Sequence, residues 1–189
     1  MKSNALLILV GFMMLERSVS AQQPSIPMSG KIAATAIVVL TREFCTIEVK
    51  KGNWVVGHEV FRPGLLICPS AEEAVRNSFE RVIRMETVPR PEDAGGHLVL
   101  IPRYTDLEAT TTVTTVGKRD IALLLEWSAV DPNGKVLWVQ TVEGDARKAT
   151  GLNHQKLLQM VARDLVVKST EVIEKSQEIR QFVETLAGK

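Results

Sequence analysis

The sequence predicts an α+β fold: a mostly antiparallel sheet of about four to six strands, with one Ser-capped helix and a long C-terminal helix on one face. Three features support this: a capping pattern at Ser70, alternating segments on both sides of residues 131–134, and a long amphipathic segment from Asn153. The chain has 189 residues, 45% hydrophobic and 24% charged, which is typical of one globular domain.

The N-terminus has the layout of a secretory signal peptide. Lys2 supplies a positive start, residues 5–15 (ALLILVGFMML) form an apolar run, and small or aliphatic residues precede Gln22. The run is about half of the roughly 20 residues that a membrane span needs, which favours cleavage. An uncleaved anchor and a structural N-terminal helix are the alternative interpretations.

This interpretation divides the chain into a signal peptide (residues 1–21), a flexible leader (22–32) and a single α+β domain (33–189). Removing the signal leaves 21 basic and 21 acidic residues. A chain with zero net charge has no overall attraction for nucleic acid or anionic lipid. We therefore expect a periplasmic or secreted protein with no nucleic-acid partner and no stable membrane anchor after cleavage.

The chain contains two cysteines, Cys45 and Cys68. An oxidising compartment favours a disulfide between them. Two buried free thiols are the alternative. A metal site that adds His58 and His97 is disfavoured because the order of the four residues lacks the short paired spacings of zinc sites.

The first half of the domain shows strand and helix patterns. Residues 37–40 are β-branched or apolar, and residues 44–50 alternate, so both segments predict strands. Ser70 and Glu73 form a capping box, which predicts a helix over residues 71–85. Its apolar stripe consists of Val75, Phe79, Val82 and Ile83.

The second half predicts further strands and ends in a helix. Residues 98–101 are wholly apolar, which indicates a central strand covered on both faces. Residues 110–115 are compatible with either an edge strand or a loop. Residues 131–134 (DPNG) predict a type I turn with a bulge, joining two alternating strands into a hairpin.

The segment from Asn153 predicts about 33 helical residues, roughly 50 Å long and more than a compact sheet can cover. Either residues 168–170 form a bend or the last turns project. A projecting end would offer Ile179, Val183 and Leu186 to a partner or to a second copy of the chain. The alternative is an ordinary core helix with a solvated end.

Catalytic motifs are absent from the sequence. His58 and Glu59 are adjacent and point to opposite faces of a strand. We therefore expect no enzyme activity, no catalytic or metal-binding residues and no cofactor. Trp54, Trp127 and Trp138 are candidates for a ligand or partner surface, with core packing as the alternative.

One stretch carries a resemblance to a known family. Residues 125–138 (LEWSAVDPNGKVLW) match the hairpin pattern W-x-x-x-D-x-x-G-K-x-x-W, and residues 54–57, 71–85 and 98–102 follow the same element order. In this the chain resembles the auxiliary lipoproteins of ABC-type envelope transport systems, although no lipobox cysteine follows its apolar run. The resemblance implies a non-catalytic accessory role near the outer membrane.

Together these features favour a non-enzymatic accessory or assembly module of the cell envelope, linked to ABC-type transport and partnered by an envelope protein or transporter component. The alternative function is a carrier that holds a small apolar ligand or lipid between the sheet and the C-terminal helix. A hydrolase is the third hypothesis, and it requires a His or Cys beside a second ionisable group in a pocket.

Overall fold

The structure is a computed structural model that describes residues 30–53, 57–112, 118–150 and 154–187. The elements in chain order are β1 (Ile32–Val39), α1 (Arg42–Cys45), β2 (Val49–Asn53), β3 (Gly57–Phe61), α2 (Gly64–Ser78), β4 (Phe79–Met85), β5 (Leu98–Thr112), β6 (Lys118–Val130), β7 (Val136–Thr150), α3 (His154–Lys175) and α4 (Gln177–Ala187). The α+β prediction is confirmed. The predicted signal peptide and nearly all of the predicted leader lie outside the described residues.

Five strands form the main sheet in the order β4-β1-β5-β6-β7, and β2 and β3 pair in a separate small hairpin. The strand β1 runs parallel to both of its neighbours. The antiparallel part, β5-β6-β7, contains the three longest strands, of 15, 13 and 15 residues. The predicted mostly antiparallel sheet is therefore confirmed.

The apolar strand predicted at residues 98–101 is the start of β5 and lies at the centre of the sheet. Leu98 and Leu100 are fully buried in the main core. Val99 is 2% exposed and belongs to a second cluster that includes Ile37 and Val39. Both faces of this strand are covered, as predicted. Of the threonine-rich residues 110–115, those up to Thr112 belong to β5, and the others lie outside the described residues.

The predicted hairpin is the β6–β7 pair. Asp131 Oδ1 accepts hydrogen bonds from the backbone N–H groups of Asn133 (2.9 Å) and Lys135 (2.8 Å). Gly134 has a φ of +83°, which glycine adopts readily. A register irregularity with Leu137 as the extra residue follows the turn, so the turn with its bulge is also confirmed.

The predicted Ser70 cap is wrong. The helix α2 begins two turns earlier, after Pro63, whose fixed φ suits a helix N-terminus. Ser70 lies inside the helix, where its hydroxyl donates to the carbonyl oxygen of Leu66 at 2.8 Å. The helix also ends early, at Ser78.

Residues 79–85, predicted as the second half of that helix, form the strand β4. Parallel pairing with β1 supplies the hydrogen bonds that a helix would have made. Phe79 is 1% exposed in the core, while Glu80, Arg81 and Arg84 face solvent. The strand predicted over residues 44–50 is likewise only partly correct, because Arg42–Cys45 form the single-turn helix α1.

The C-terminal helix lies on one face of the sheet, as predicted, but it breaks at Ser176 and not at residues 168–170. The Ser176 hydroxyl caps α4 by accepting a hydrogen bond from the N–H of Ile179 at 3.2 Å. Leu157, Val161, Leu165, Ile173 and Ile179 are buried in the main core. Among the described residues, every helix is too short or too polar to span a bilayer.

Candidate binding cleft

A cleft of about 250 Å³ opens between α1 and β5, beside the point where β1 ends. Phe44 and Pro102 are buried in its wall, and Glu43 and Arg103 are exposed at its rim. The full lining is Thr41, Glu43, Phe44, Ile47, Pro102, Arg103 and Tyr104. We refer to it as the α1 cleft.

Local sequence explains why the α1 cleft opens there. Pairing between β1 and β5 reaches Val38 and Leu100 and goes no further. Pro102 has no N–H group and cannot donate to a strand ladder. On the other strand, Thr41 starts a helical turn, since its Oγ1 accepts a hydrogen bond from the N–H of Phe44 at 3.1 Å.

The helix α1 is held firmly against α2. Cys45 and Cys68 form a disulfide with their Cα atoms 4.9 Å apart, which confirms the predicted pairing. A Cβ atom placed on Gly64 would lie 2.5 Å from the backbone nitrogen of Ile47, so only glycine permits this approach. One wall of the cleft is therefore fixed by a covalent bond and a close backbone contact.

Tyr104 provides a hydroxyl group of the cleft in addition to that of Thr41, which caps α1. Partial burial, and to a smaller extent the negative charge of Asp106, raise the pKa of Tyr104 to about 12. The phenol therefore stays neutral at physiological pH, and it can donate as well as accept a hydrogen bond. The cleft combines an apolar wall with the hydroxyl groups of Tyr104 and Thr41 and a charged rim.

The size of the cleft limits what it can hold. Pockets for drug-sized ligands and cofactors are typically about 300–1,000 Å³. At about 250 Å³, this cleft is smaller than such pockets and can enclose one large side chain or the end of an acyl chain. Its shape and chemistry therefore suit the recognition of a small apolar group with a polar end.

The structure does not bring the predicted surface residues together. Trp127 and Ile179 are fully buried in the core and contribute to no surface of the described fold. Trp138, Val183 and Leu186 are partly exposed, and the prediction of a partner surface remains a prediction for them. Trp54 lies outside the described residues.

The structure describes one histidine side chain, His97, which is half-buried in the loop before β5. Within the described parts of the chain, no group of three His, Cys, Asp or Glu side chains is placed to hold a metal ion. Sequence reasoning did not single out Thr41, Phe44, Pro102 or Tyr104. The available signal was the proline that directly follows the apolar strand at residues 98–101.

No protein-family model matches this sequence, and no curated protein is similar to it in sequence. Among solved structures, the fold is similar to protein XCC0632 from Xanthomonas campestris, of the family DUF330 (TM-score 0.55, 10% identity, 87% of this chain and 94% of that chain). Lower scores relate it to the PelC dodecamer from Paraburkholderia phytofirmans (0.42, 16%, 77% and 89%). They also relate it to a minor lipoprotein from Acinetobacter baumannii (0.41, 12%, 75% and 92%). At these identities the likeness to the first protein shows a shared fold alone.

Proposed function

We propose that this protein is a non-enzymatic accessory or assembly module of the cell envelope, which works outside the cytoplasm and contacts a partner through the α1 cleft. The observation that carries the proposal is the Cys45–Cys68 disulfide. Disulfides persist in oxidising compartments and are rare in the cytosol. The signal-like residues 1–21 point to the same compartment.

A link to ABC-type transport is part of this proposal and rests on the hairpin. The stretch that resembles the auxiliary lipoproteins of such systems, residues 125–138, forms the β6–β7 turn and the strand positions next to it. The fold shared with the DUF330 protein agrees with an accessory role but carries no activity by itself.

The chemistry of the cleft favours binding over catalysis. General acid–base catalysis works best with a pKa near the operating pH. The pKa of Tyr104, about 12, lies far above that range, so the phenol offers a hydrogen bond and not a proton-transfer group. An apolar wall with neutral hydroxyl groups suits a side chain or chain end of a partner.

The alternative of a carrier between the sheet and the C-terminal helix loses support. A Cβ atom placed on Gly144 would lie 2.4 Å from Leu165 Cγ and 2.8 Å from the carbonyl oxygen of Val161. The helix α3 therefore packs directly on the backbone of β7 there and leaves no room for an acyl chain. We place ligand recognition in the α1 cleft instead.

The compartment is tested by the intact mass of protein from the periplasmic or secreted fraction, after alkylation without reduction. We expect a chain that lacks residues 1–21 and takes up no alkylating reagent until the disulfide is reduced. A full-length cytosolic chain with two alkylated thiols would overturn the envelope role.

The contact site is tested by photo-crosslinking in cells at native expression. Arg103→p-benzoylphenylalanine places the probe at the cleft rim, and the same probe at Val167, which is 65% exposed on α3, is the matched control. We expect an adduct with an envelope transport component from position 103 only. No adduct at position 103 would overturn the cleft as the contact site, and an adduct with a protein unrelated to transport would overturn the link to ABC-type systems.

A further inference from the structure

The strand β7 borders the main sheet, and no other described strand pairs with its outer edge. In an antiparallel ladder, successive residues direct their N–H and C=O groups to opposite sides. The register with β6 is regular from Ser128–Val139 to Ala122–Asp145. Once the side to which one residue directs its backbone N–H and C=O groups is known, the sides of the other residues in this stretch follow.

Three contacts show which residues face outward. Lys168 Nζ donates to the carbonyl oxygen of Glu143 at 3.0 Å. The N–H of Asp145 donates to Asp164 Oδ2 at 3.0 Å. Gln140 Nε2 donates to the carbonyl oxygen of Thr141 at 3.3 Å. The backbone N–H and C=O groups of the odd-numbered residues from 139 to 145 thus point away from β6.

Side chains of α3 occupy the outer edge at Glu143 and Asp145. Lys168 is held by Asp164 at 2.7 Å and by Asp145 at 2.9 Å. Hydrogen bonds to these two carboxylates raise the pKa of Lys168, which keeps its charge at this position. A charged lysine at a strand border prevents pairing with another strand.

Before Glu143, α3 places no charged side chain on the outer edge within the described residues, and the carbonyl oxygen of Thr141 accepts only the amide of the neighbouring Gln140. At the other end, this part of the edge stops at Leu137. Leu137 is the extra β7 residue between the Ala129–Trp138 and Val130–Val136 pairs, where it forms a bulge. Such a bulge also interrupts pairing. The open segment is therefore residues 138–142, where Val139 and Thr141 point their backbone groups outward. It carries no charge, and Val139 is 50% exposed.

We propose that the open segment of β7 pairs antiparallel with the same segment of a second copy of this chain, about a twofold axis at Gln140. Val139 of each copy lies opposite Thr141 of the other, and these two outward-facing residues exchange backbone hydrogen bonds. The two blocked positions, Leu137 and Glu143, lie at equal distances from Gln140. Pairing is therefore confined on both copies to the five residues 138–142, and each copy presents the same uncharged edge to the other.

Side chains agree with this register. Gln140 lies opposite Gln140 of the other copy, and amide side chains carry both donors and acceptors. The half-buried Trp138 meets Val142, which extends the apolar face of the sheet into the second copy.

Sedimentation velocity of the full chain over a concentration series tests the pairing. We expect a reversible dimer, and Val139→Lys should weaken association by about tenfold or more, because charge on an edge strand opposes pairing. Val167→Lys, the same exchange on the exposed face of α3, is the control and should associate like the wild type. A wild-type chain that is monomeric at every concentration, or equal association of both variants, would overturn the proposal.

Disulfide capture tests the register. Directly opposed residues of a non-hydrogen-bonded pair have Cα atoms about 4.5 Å apart, within the range of a disulfide. Gln140→Cys should therefore form a covalent dimer under mild oxidation. Val136→Cys, on the same strand and 55% exposed, should not. Capture at position 136 but not at 140 would contradict the proposed axis.

The open segment of β7 is separate from the α1 cleft, which lies between α1 and β5. Loss of the partner adduct at position 103 with intact dimers would count against the proposed function alone. Monomers with an intact adduct would count against the pairing alone.

Discussion

The indole Nε1 of Trp127 donates a hydrogen bond of 3.0 Å to the hydroxyl of Ser169, and both side chains are buried. The bond connects β6 to the middle of α3. A buried tryptophan usually needs a partner for its N–H group. Ser169 supplies that partner, which explains a polar residue in the helix face that packs on the sheet.

Ser169→Ala should lower the free energy of unfolding by about 1–3 kcal/mol, because it leaves the buried indole N–H without an acceptor. Urea denaturation followed by tryptophan fluorescence measures the change. In a Trp127→Phe background the same substitution should cost much less, since no N–H remains to be satisfied. An equal cost in both backgrounds would show that the hydrogen bond is not responsible.

Ser70→Ala should change the free energy of unfolding by less than about 0.5 kcal/mol, because Ser70 lies inside α2, where alanine is the better helix former. If Ser70 were the N-cap of the helix, its replacement by alanine would lower the free energy of unfolding by about 1 kcal/mol. Urea denaturation distinguishes the two positions. A loss of 1 kcal/mol or more would instead support a helix that begins at Ser70.

Cys45→Ala with Cys68→Ala should lower the free energy of unfolding by about 3 kcal/mol, the value expected for opening a loop of this length. The two cysteines are 23 residues apart. Reduction of the wild type should produce a similar loss in urea denaturation, whereas reductant should not affect the double variant. Unchanged stability after reduction would show that close packing at Gly64 suffices to hold α1.

Alkaline titration should show the pKa of Tyr104 directly, since the chain contains one tyrosine. Tyrosinate absorbance of the folded protein should rise near pH 12 and not near pH 10.0. Because the folded pKa is raised, Tyr104 leaves the free energy of unfolding unchanged below the unfolded pKa and lowers it as pH rises from there through the folded value.

Asp106→Asn is the control for the cause of this shift. It removes the smaller contribution, the negative charge, and should lower the tyrosinate midpoint only partly, because burial is the main cause. A midpoint at the ordinary value in the wild type would contradict the half-buried position of Tyr104 in the cleft.

Local chemistry made the β6–β7 hairpin predictable. The turn at residues 131–134 needs only its own residues: Asp131 accepts from the nearby N–H groups, and Gly134 takes the positive φ. The disulfide was predictable because only two cysteines exist and the signal-like segment indicates an oxidising compartment.

The boundary between α2 and β4 was not predictable in the same way. Val75, Phe79 and Val82 fit a helical stripe, but pairing with β1 decides the structure of residues 79–85, and that partner is distant in sequence. The α1 cleft likewise depends on residues that are distant in sequence. Thr41 and Pro102 each show a local signal, but only the fold places them side by side.

The two borders of the sheet differ in charge, and this difference limits how far the chain can associate. The border strand β4 exposes Glu80, Arg81 and Arg84, whereas the uncharged stretch lies on β7. Contact between unlike borders would add copies head to tail and grow into a filament, but a charged border disfavours it. The proposed contact between like borders about a twofold axis would use both uncharged edges at once, so assembly through this sheet would stop at two copies.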